Sequence, residues 1–215
     1  MRFSYQAILF DCDGVIVDTE TLSSNILQRM LAEQGLHLDE HTLHTQFAGH
    51  TNQENLALAE SMLGKALPAN FASQFRDEFQ RSIKTSLQPI PGVTELLSAI
   101  QCPIAMATNA QREELELKLE LIQLSDVFHT RFAVDDVKQG KPAPDLYLKA
   151  ASALGVAPQD CIVIEDSLAG IRAGVAAGAT VLAYSAVFTA QAQLDAGATL
   201  TFNSMPELMT LLGLK

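Results

Sequence analysis

The stretch Ala7-Ile8-Leu9-Phe10-Asp11-Cys12-Asp13-Gly14 decides how the rest of this chain is read. Four apolar residues in a row predict a short buried strand. Two carboxylates one residue apart then close it, and a glycine follows. Residues i and i+2 of a strand point to the same side, so Asp11 and Asp13 would converge on one pocket. Carboxylates that close repel each other unless a cation lies between them or one is protonated. Taken alone, Asp-x-Asp-Gly fits a polar turn or a calcium-loop fragment, so the weight falls on the remainder of the chain.

Immediately downstream, residues 19–84 change character. Leu22, Ile26, Leu27, Met30 and Leu31 recur at three-and-four spacing, as do Leu56, Leu58, Ala59, Met62 and Leu63, and then Phe71, Phe75, Phe79 and Ile83. Turn signals at Gly35, Gly49, Gly64 and Pro68 divide the stretch, which reads as an all-helical insert of roughly four helices. From Pro89 onward strands and helices alternate. Strands are predicted at 103–108, 130–134, 160–164, 180–184 and 198–202, with helices at 93–100, 112–124, 143–154, 167–177 and 205–212. Such alternation predicts an α/β fold, a doubly wound parallel sheet covered on both faces. The sheet domain would comprise residues 1–18 and 85–215, with residues 19–84 inserted. In open parallel sheets the ligand crevice lies at the carboxyl ends of the strands, which is where Asp11 and Asp13 fall.

Composition narrows the partners. The chain has 14 Lys+Arg against 25 Asp+Glu, a formal charge of -11, which argues against nucleic acid because phosphate backbones are bound by basic surface. A small anionic substrate remains compatible, since a local cation overrides the global field. Cys12, Cys102 and Cys161 form neither a disulfide framework nor a zinc pattern and read as reduced, buried thiols. Residues 1–6 lack an apolar signal core, and no apolar run approaches the ~18 residues of a membrane span. The expectation is a cytoplasmic protein without membrane partners.

Three further strand ends carry chemistry. Thr108-Asn109 places a hydroxyl and an amide before a helix N-terminus, where free backbone N–H groups favour anions, although a simple helix cap is the commoner meaning. Gly140-Lys141-Pro142-Ala143-Pro144-Asp145 fixes one lysine in a proline-stiffened loop. Glu165-Asp166-Ser167 ends the strand at 160–164 and precedes a glycine-containing helix. Each alone has an ordinary explanation. In a doubly wound sheet, however, all four ends open on one crevice, which then holds four carboxylates, a hydroxyl and an ammonium. The carboxylates offer the hard oxygen ligands that Mg²⁺ takes, and the rest of the inventory suits phosphoryl transfer.

In order and in wording these stretches resemble the four motifs of the haloacid dehalogenase-like hydrolase superfamily. Asp13-Gly14-Val15-x-x-Asp18-Thr19, Gly140-Lys141-Pro142-x-Pro144-Asp145 and Glu165-Asp166-Ser167-x-x-Gly170 carry the likeness, and it spans nearly the whole chain. The resemblance implies a Rossmann-like core with the insert as a helical cap. It implies Asp11 as nucleophile through an aspartyl-phosphate and Asp13 as acid and then base. Thr108, the backbone at Asn109 and Lys141 would hold the phosphoryl oxygens. Mg²⁺ would be held by Asp11, the Asp13 carbonyl and Asp166, with Glu165 a direct or water-mediated partner. Ser167 would support the acidic loop, Gly14 belongs to the first motif, and Asp18 and Thr19 would form the hinge.

Within that superfamily, dehalogenases and phosphonatases lack the second acid, so Asp13 argues for a phosphatase acting on a small phosphorylated metabolite. The rival is a sugar phosphomutase resembling β-phosphoglucomutase, which carries a histidine after the hinge and an arginine in the cap loop. Here those positions fall on Ser23 and Asn52, and a neutral amide is no substitute for a bidentate guanidinium on a second phosphate. A non-catalytic phosphometabolite-binding protein would require a lost carboxylate or lysine, and none is missing. Gly49, His50, Thr51 and Asn52 are the candidates for substrate discrimination, suited to the hydroxyls of a sugar or sugar acid such as 6-phosphogluconate. Arg112 could reach a substrate carboxylate. His37, His41 and His44 have helical spacing without an acid to complete a metal site. Glu113, Glu114, Glu116, Lys118 and Glu120 read as a solvated helix face. A monomer or weak homodimer is expected.

Overall fold

The computed structural model describes residues 3–39, 42–47 and 52–214, with the backbone alone at 44, 45, 52 and 53. The chain divides into two compact units, residues 1–18 with 88–215, and residues 19–87.

The larger unit is built on a six-stranded parallel sheet. Its strands are β1 (Ala7–Phe10), β2 (Ile104–Ala107), β3 (Arg131–Phe132), β4 (Cys161–Glu165), β5 (Thr180–Tyr184) and β6 (Leu200–Phe202), in the order β3-β2-β1-β4-β5-β6. All six predicted strands are present, and the doubly wound parallel sheet is the fold read from the sequence. Strands covered on both faces read as unbroken apolar runs, and all four residues of β1 and all five of β4 are buried. The chain builds outward from β1 in one direction, then returns to lay β4 on its other side, so the switch point lies between β1 and β4.

Register does the next part of the work. Phe10 pairs with Met106 on one side and with Ile164 on the other. The next row therefore sets Asp11 beside Glu165, and the Asp11 N–H bonds the Ile164 carbonyl at 3.0 Å. Alternation gives Asp11 the face of Ala7 and Leu9. That face packs against helices α6 (Asp145–Leu154) and α7 (Leu168–Ala177) in a core with Tyr147, Val163 and Ile171. On the opposite face Phe10 meets Phe128 edge to face, with ring centroids 5.8 Å apart. The remaining helices of this unit are α4 (Val93–Ala99), α5 (Arg112–Leu121), α8 (Ala190–Asp195) and α9 (Met205–Leu212).

The inserted unit holds α1 (Thr19–Glu33), a π-type turn at Leu43–Phe47, α2 (Asn52–Leu63) and α3 (Phe71–Ser86). Its own core gathers Ile26, Leu27, Met30, Leu31, Phe71 and Phe75, the residues whose spacing predicted the helices, with Phe79 packed against it. Arg29 of α1 bonds Glu78 of α3. The return crossing at Leu87 lies a little beyond the boundary expected at Lys84, because α3 continues to Ser86. The outgoing and returning segments run antiparallel: Val17 pairs with Pro89, and the Asp18 and Ile90 N–H groups bond Gln88 and Ile16 carbonyls, each at 2.9 Å.

No described helix is long and apolar enough to cross a membrane. Cys12 and Cys161 are buried free thiols as expected, whereas Cys102, in the turn before β2, is half-buried. Of the three histidines at 37, 41 and 44, His37 is exposed, His41 lies outside the described residues, and His44 is described by its backbone alone.

Candidate active site

At the carboxyl end of β1 and β4 the acids converge. Ligand oxygens of Asp11, Glu165 and Asp166 all lie within 4.8 Å of one another, and all three residues are buried. Lys141 reaches into the group from the loop before α6. Its Nζ stands 2.5 Å from Asp11 Oδ1 and 2.7 Å from Glu165 Oε1, with the residue only 8% exposed. The sequence therefore assembles a lysine and three carboxylates from segments as far as 155 positions apart because the sheet register demands it.

The loop carrying Lys141 is held by a side chain. Asn109 Nδ2 donates to the Lys141 carbonyl at 3.0 Å, and Asn109 Oδ1 accepts from the Lys141 N–H at 2.8 Å. Both polar ends of that amide are thus committed to the loop, so its side chain clamps Lys141, and only its backbone is left for a substrate. Gly140 is needed at this clamp, since a Cβ there would sit 2.6 Å from Asn109 Oδ1. Thr108, 2% exposed, ends β2 and accepts from the Ala110 N–H at 3.0 Å, the turn that opens the Asn109 segment.

The Glu165 carboxylate accepts five hydrogen bonds. Oε1 accepts from Lys141 and from the Tyr147 hydroxyl at 2.8 Å. Oε2 accepts from the Asp166 N–H, the Ser167 N–H and the Ser167 hydroxyl, each at 3.0 Å. Ser167 also caps α7 by accepting from the Gly170 N–H. With five donors on one carboxylate, Glu165 anchors both the loop and the lysine. Gly14, at φ +74, lies so close to Asp166 that a Cβ would meet its Oδ2 at 2.1 Å.

The charge balance fits a hard divalent cation. Three buried carboxylates share one ammonium, which leaves the group with surplus negative charge out of water. Burial raises the Asp11 pKa to about 7; Lys141 opposes the rise, and the charges of Glu165 and Asp13 add to it. Oxygen-only donors with surplus negative charge are the ligand set of Mg²⁺ or Ca²⁺. Burial disfavours the Lys141 ammonium, but Asp11 and Glu165 outweigh it and hold the group above the ordinary lysine range. Burial, with Glu165 second, pushes the Tyr147 hydroxyl well above its usual value, so it acts as a donor.

Three residues that touch the acidic site were not singled out from the sequence. Tyr147 looked like any apolar residue of α6, yet it bonds Glu165, and Lys141 Nζ lies 4.8 Å from its ring centroid. Gln193, fully buried on α8, donates from Nε2 to the Asp166 and Tyr184 carbonyls at 2.8 Å each. Lys118 departs from the solvated face expected of α5, of which Glu113 and Glu120 are exposed. It is 1% exposed, and its Nζ lies 2.5 Å from both Asp13 Oδ1 and Glu114 Oε1. The signal available was its place between the apolar positions Leu115 and Leu119, both buried.

Arg112, expected to reach a substrate carboxylate, is engaged by groups of the protein itself. Its guanidinium bonds Glu116 at 3.1 Å, the Arg131 carbonyl at 3.1 Å and the Asp136 carboxylate. These bonds tie α5 to the segment around β3 and occupy the groups that were to meet a substrate carboxylate. Gly49, His50 and Thr51 lie outside the described residues, and Asn52 is described only as the first residue of α2.

A doubly wound parallel sheet whose central strand ends in clustered acids, with a buried lysine among them and a helical unit inserted after that strand, defines a class of α/β enzymes. The chain belongs to the haloacid dehalogenase-like hydrolase family, whose pattern matches residues 8–184. It is 31% identical over 183 residues to the 6-phosphogluconate phosphatase of Escherichia coli, covering 84% of this chain and 83% of that protein. It is 35% identical over 178 residues to the phosphorylated carbohydrates phosphatase of Thermotoga maritima, covering 80% and 82%. Among solved structures, a putative beta-phosphoglucomutase from Thermotoga maritima superposes with a TM-score of 0.76 at 29% identity, covering 97% of this chain and 98% of the other.

Proposed function

We propose that the protein is a Mg²⁺-dependent phosphatase that hydrolyses a small phosphorylated sugar or sugar acid through an aspartyl-phosphate on Asp11. The observation that carries this reading is the bridge made by Lys141 between Asp11 and Glu165 at the ends of β1 and β4. It gives a buried carboxylate nucleophile an ammonium at 2.5 Å that can also face a phosphoryl oxygen. The names of the two phosphatase relatives support the substrate class.

In the first half-reaction an Asp11 oxygen attacks phosphorus, the bond to the sugar oxygen breaks, and Asp13 gives that oxygen its proton. In the second, Asp13 takes a proton from water, the water oxygen attacks phosphorus, and the Asp11–phosphate bond breaks to release inorganic phosphate. Thr108 and the Asn109 backbone would hold phosphoryl oxygens beside Lys141. Asp11, Asp166 and the Asp13 carbonyl would hold the cation, with Glu165 contacting it through water at most. When bound, the cation offsets the carboxylate charge and that of the phosphoryl group. The inserted unit would serve as the cap that excludes water, with Gly49, His50, Thr51 and Asn52 at its discriminating loop. The reading is of a cytoplasmic enzyme, monomeric or weakly dimeric.

The test is inorganic phosphate release from a panel of sugar and sugar-acid phosphates, with Mg²⁺ and with EDTA, using Asp11→Asn as control. Metal-dependent release that the variant abolishes is expected. The likeness to a putative beta-phosphoglucomutase gives the rival a definite outcome. Interconversion of a hexose 1- and 6-phosphate without release would replace the phosphatase with a mutase.

A further inference from the structure

Asp13 and Lys118 are 105 positions apart, yet the structure joins them at 2.5 Å. The lysine is the unusual partner. Its side chain is 2% exposed while that of Asp13 is 31% exposed, so a buried cation reaches outward to an acid that stays open. Burying an ammonium is costly unless it is paired and hydrogen-bonded, and here two carboxylates pair it, Asp13 Oδ1 and Glu114 Oε1. The flanking Leu115 and Leu119 are fully buried and fix the turn of α5 from which the lysine projects. An aspartate at the mouth of a crevice otherwise has freely exchanging rotamers. With Oδ1 held, the direction of Oδ2 is restricted too.

We propose that Lys118 is a positioning residue that locks the Asp13 side chain so that its second oxygen is presented to the leaving group and then to water. The proposal rests on the phosphatase reading above. Lys118 itself touches neither substrate nor the reacting atoms. It acts through Asp13, and Glu114 holds it from the other side, so the buried ammonium is fixed between two partly exposed carboxylates. Proton transfer demands an oxygen within hydrogen-bond reach, and a misplacement near 1 Å costs on the order of 100-fold.

A step that needs a proton will suffer more than one that does not, and this separates positioning from loss of folded protein. The leaving oxygen of glucose 6-phosphate must be protonated as its bond breaks, whereas p-nitrophenolate departs without a proton. The value of kcat/KM reports the chemistry up to release of the first product, so it isolates that half-reaction. Lys118→Met should lower kcat/KM for glucose 6-phosphate by about 10- to 100-fold and for p-nitrophenyl phosphate by no more than about threefold. Lys118→Gln, which keeps a neutral donor of shorter reach, should show the same selective loss to a smaller degree, and it serves if the methionine variant does not fold. Equal losses on both substrates, or none on either, would overturn the proposal while leaving the phosphatase reading intact. Where another member of the panel is the better substrate it takes the place of glucose 6-phosphate, and a wild-type protein that releases phosphate from no member of the panel would overturn both.

Discussion

Gly170→Ala sets two physical effects against each other, and the structure says which wins. Inside a helix alanine is favoured over glycine by at most about 1 kcal/mol, so propensity alone predicts a more stable protein. A Cβ at Gly170, however, would lie 1.6 Å from Glu165 Oε1, 1.9 Å from its Cδ and 2.3 Å from its Oε2. Ordinary contact between such atoms is near 3.5 Å, so the carboxylate would have to retreat by roughly 1.5–2 Å. Glu165 is fully buried and accepts five hydrogen bonds, from Lys141, Tyr147, Asp166 and twice from Ser167. Hydrogen bonds to a charged group contribute about 1.5–3 kcal/mol each, so losing only two outweighs the propensity gain and leaves a net cost of about 2–5 kcal/mol. Denaturant unfolding of wild type and variant reads the difference directly. A variant as stable as wild type, or more stable, would show that Glu165 is not held as tightly as its five partners imply. Because Lys141 is held by the same carboxylate, phosphate release should fall at least about tenfold.

Three further outcomes follow from the same geometry. With the Asp11 pKa near 7 in the folded protein and 3.8 as its ordinary value, the folded state binds more protons between these limits. Stability of the metal-free protein should therefore decline as pH rises from about 4 to about 7, by up to roughly 4 kcal/mol, and Asp11→Asn should remove that decline. Unfolding midpoints that do not differ in pH slope between the two proteins would refute it. Gly14→Ala forces an alanine into φ +74, which costs about 1–2 kcal/mol, and drives a Cβ against Asp166 Oδ2. The Mg²⁺ concentration for half-maximal activity should rise about tenfold or more, and an unchanged value would separate Asp166 from the cation. Tyr147→Phe keeps the ring and loses one bond to a buried carboxylate, so unfolding should become easier by about 1.5–3 kcal/mol, and no change would mean that Lys141 and Ser167 suffice for Glu165.

What could be read without coordinates was set by how local each signal is. The two central strands announced themselves because a parallel strand buried on both faces is an unbroken apolar run, and Ala7–Phe10 and residues 161–164 are such runs. Helix α8 carried no such periodicity in Ala190–Asp195, and its one local cue was Thr189, which caps it by accepting from the Ala192 N–H. Asp11, Lys141, Glu165 and Asp166 could be placed together because strand ends in a doubly wound sheet share a crevice. The partners of Lys118 and Arg112 were not legible: Leu115 and Leu119 mark the buried side of α5, but nothing local names what a cation on that helix will meet. Their partners Asp13 and Asp136 lie 105 and 24 positions away, and only the packing of α5 selects them. Asn109 was found by its neighbourhood to Thr108, while its grip on Lys141 depended on a loop 32 positions on.

The antiparallel pairing of Val17 with Pro89 has a consequence for how such a chain can be rebuilt. Directly opposite residues of such a pair lie about 5 Å apart, a gap that a two-residue turn spans. The sheet unit therefore presents the inserted unit as if it were the tip of a hairpin. Whatever is grafted there needs only two neighbouring ends, and because closure entropy grows slowly with length, a large folded insert costs the host scarcely more than a small one. Exchange of the whole inserted unit for another is thus open to laboratory recombination at a single seam, with Asp18 and Gln88 as the last host residues on either side.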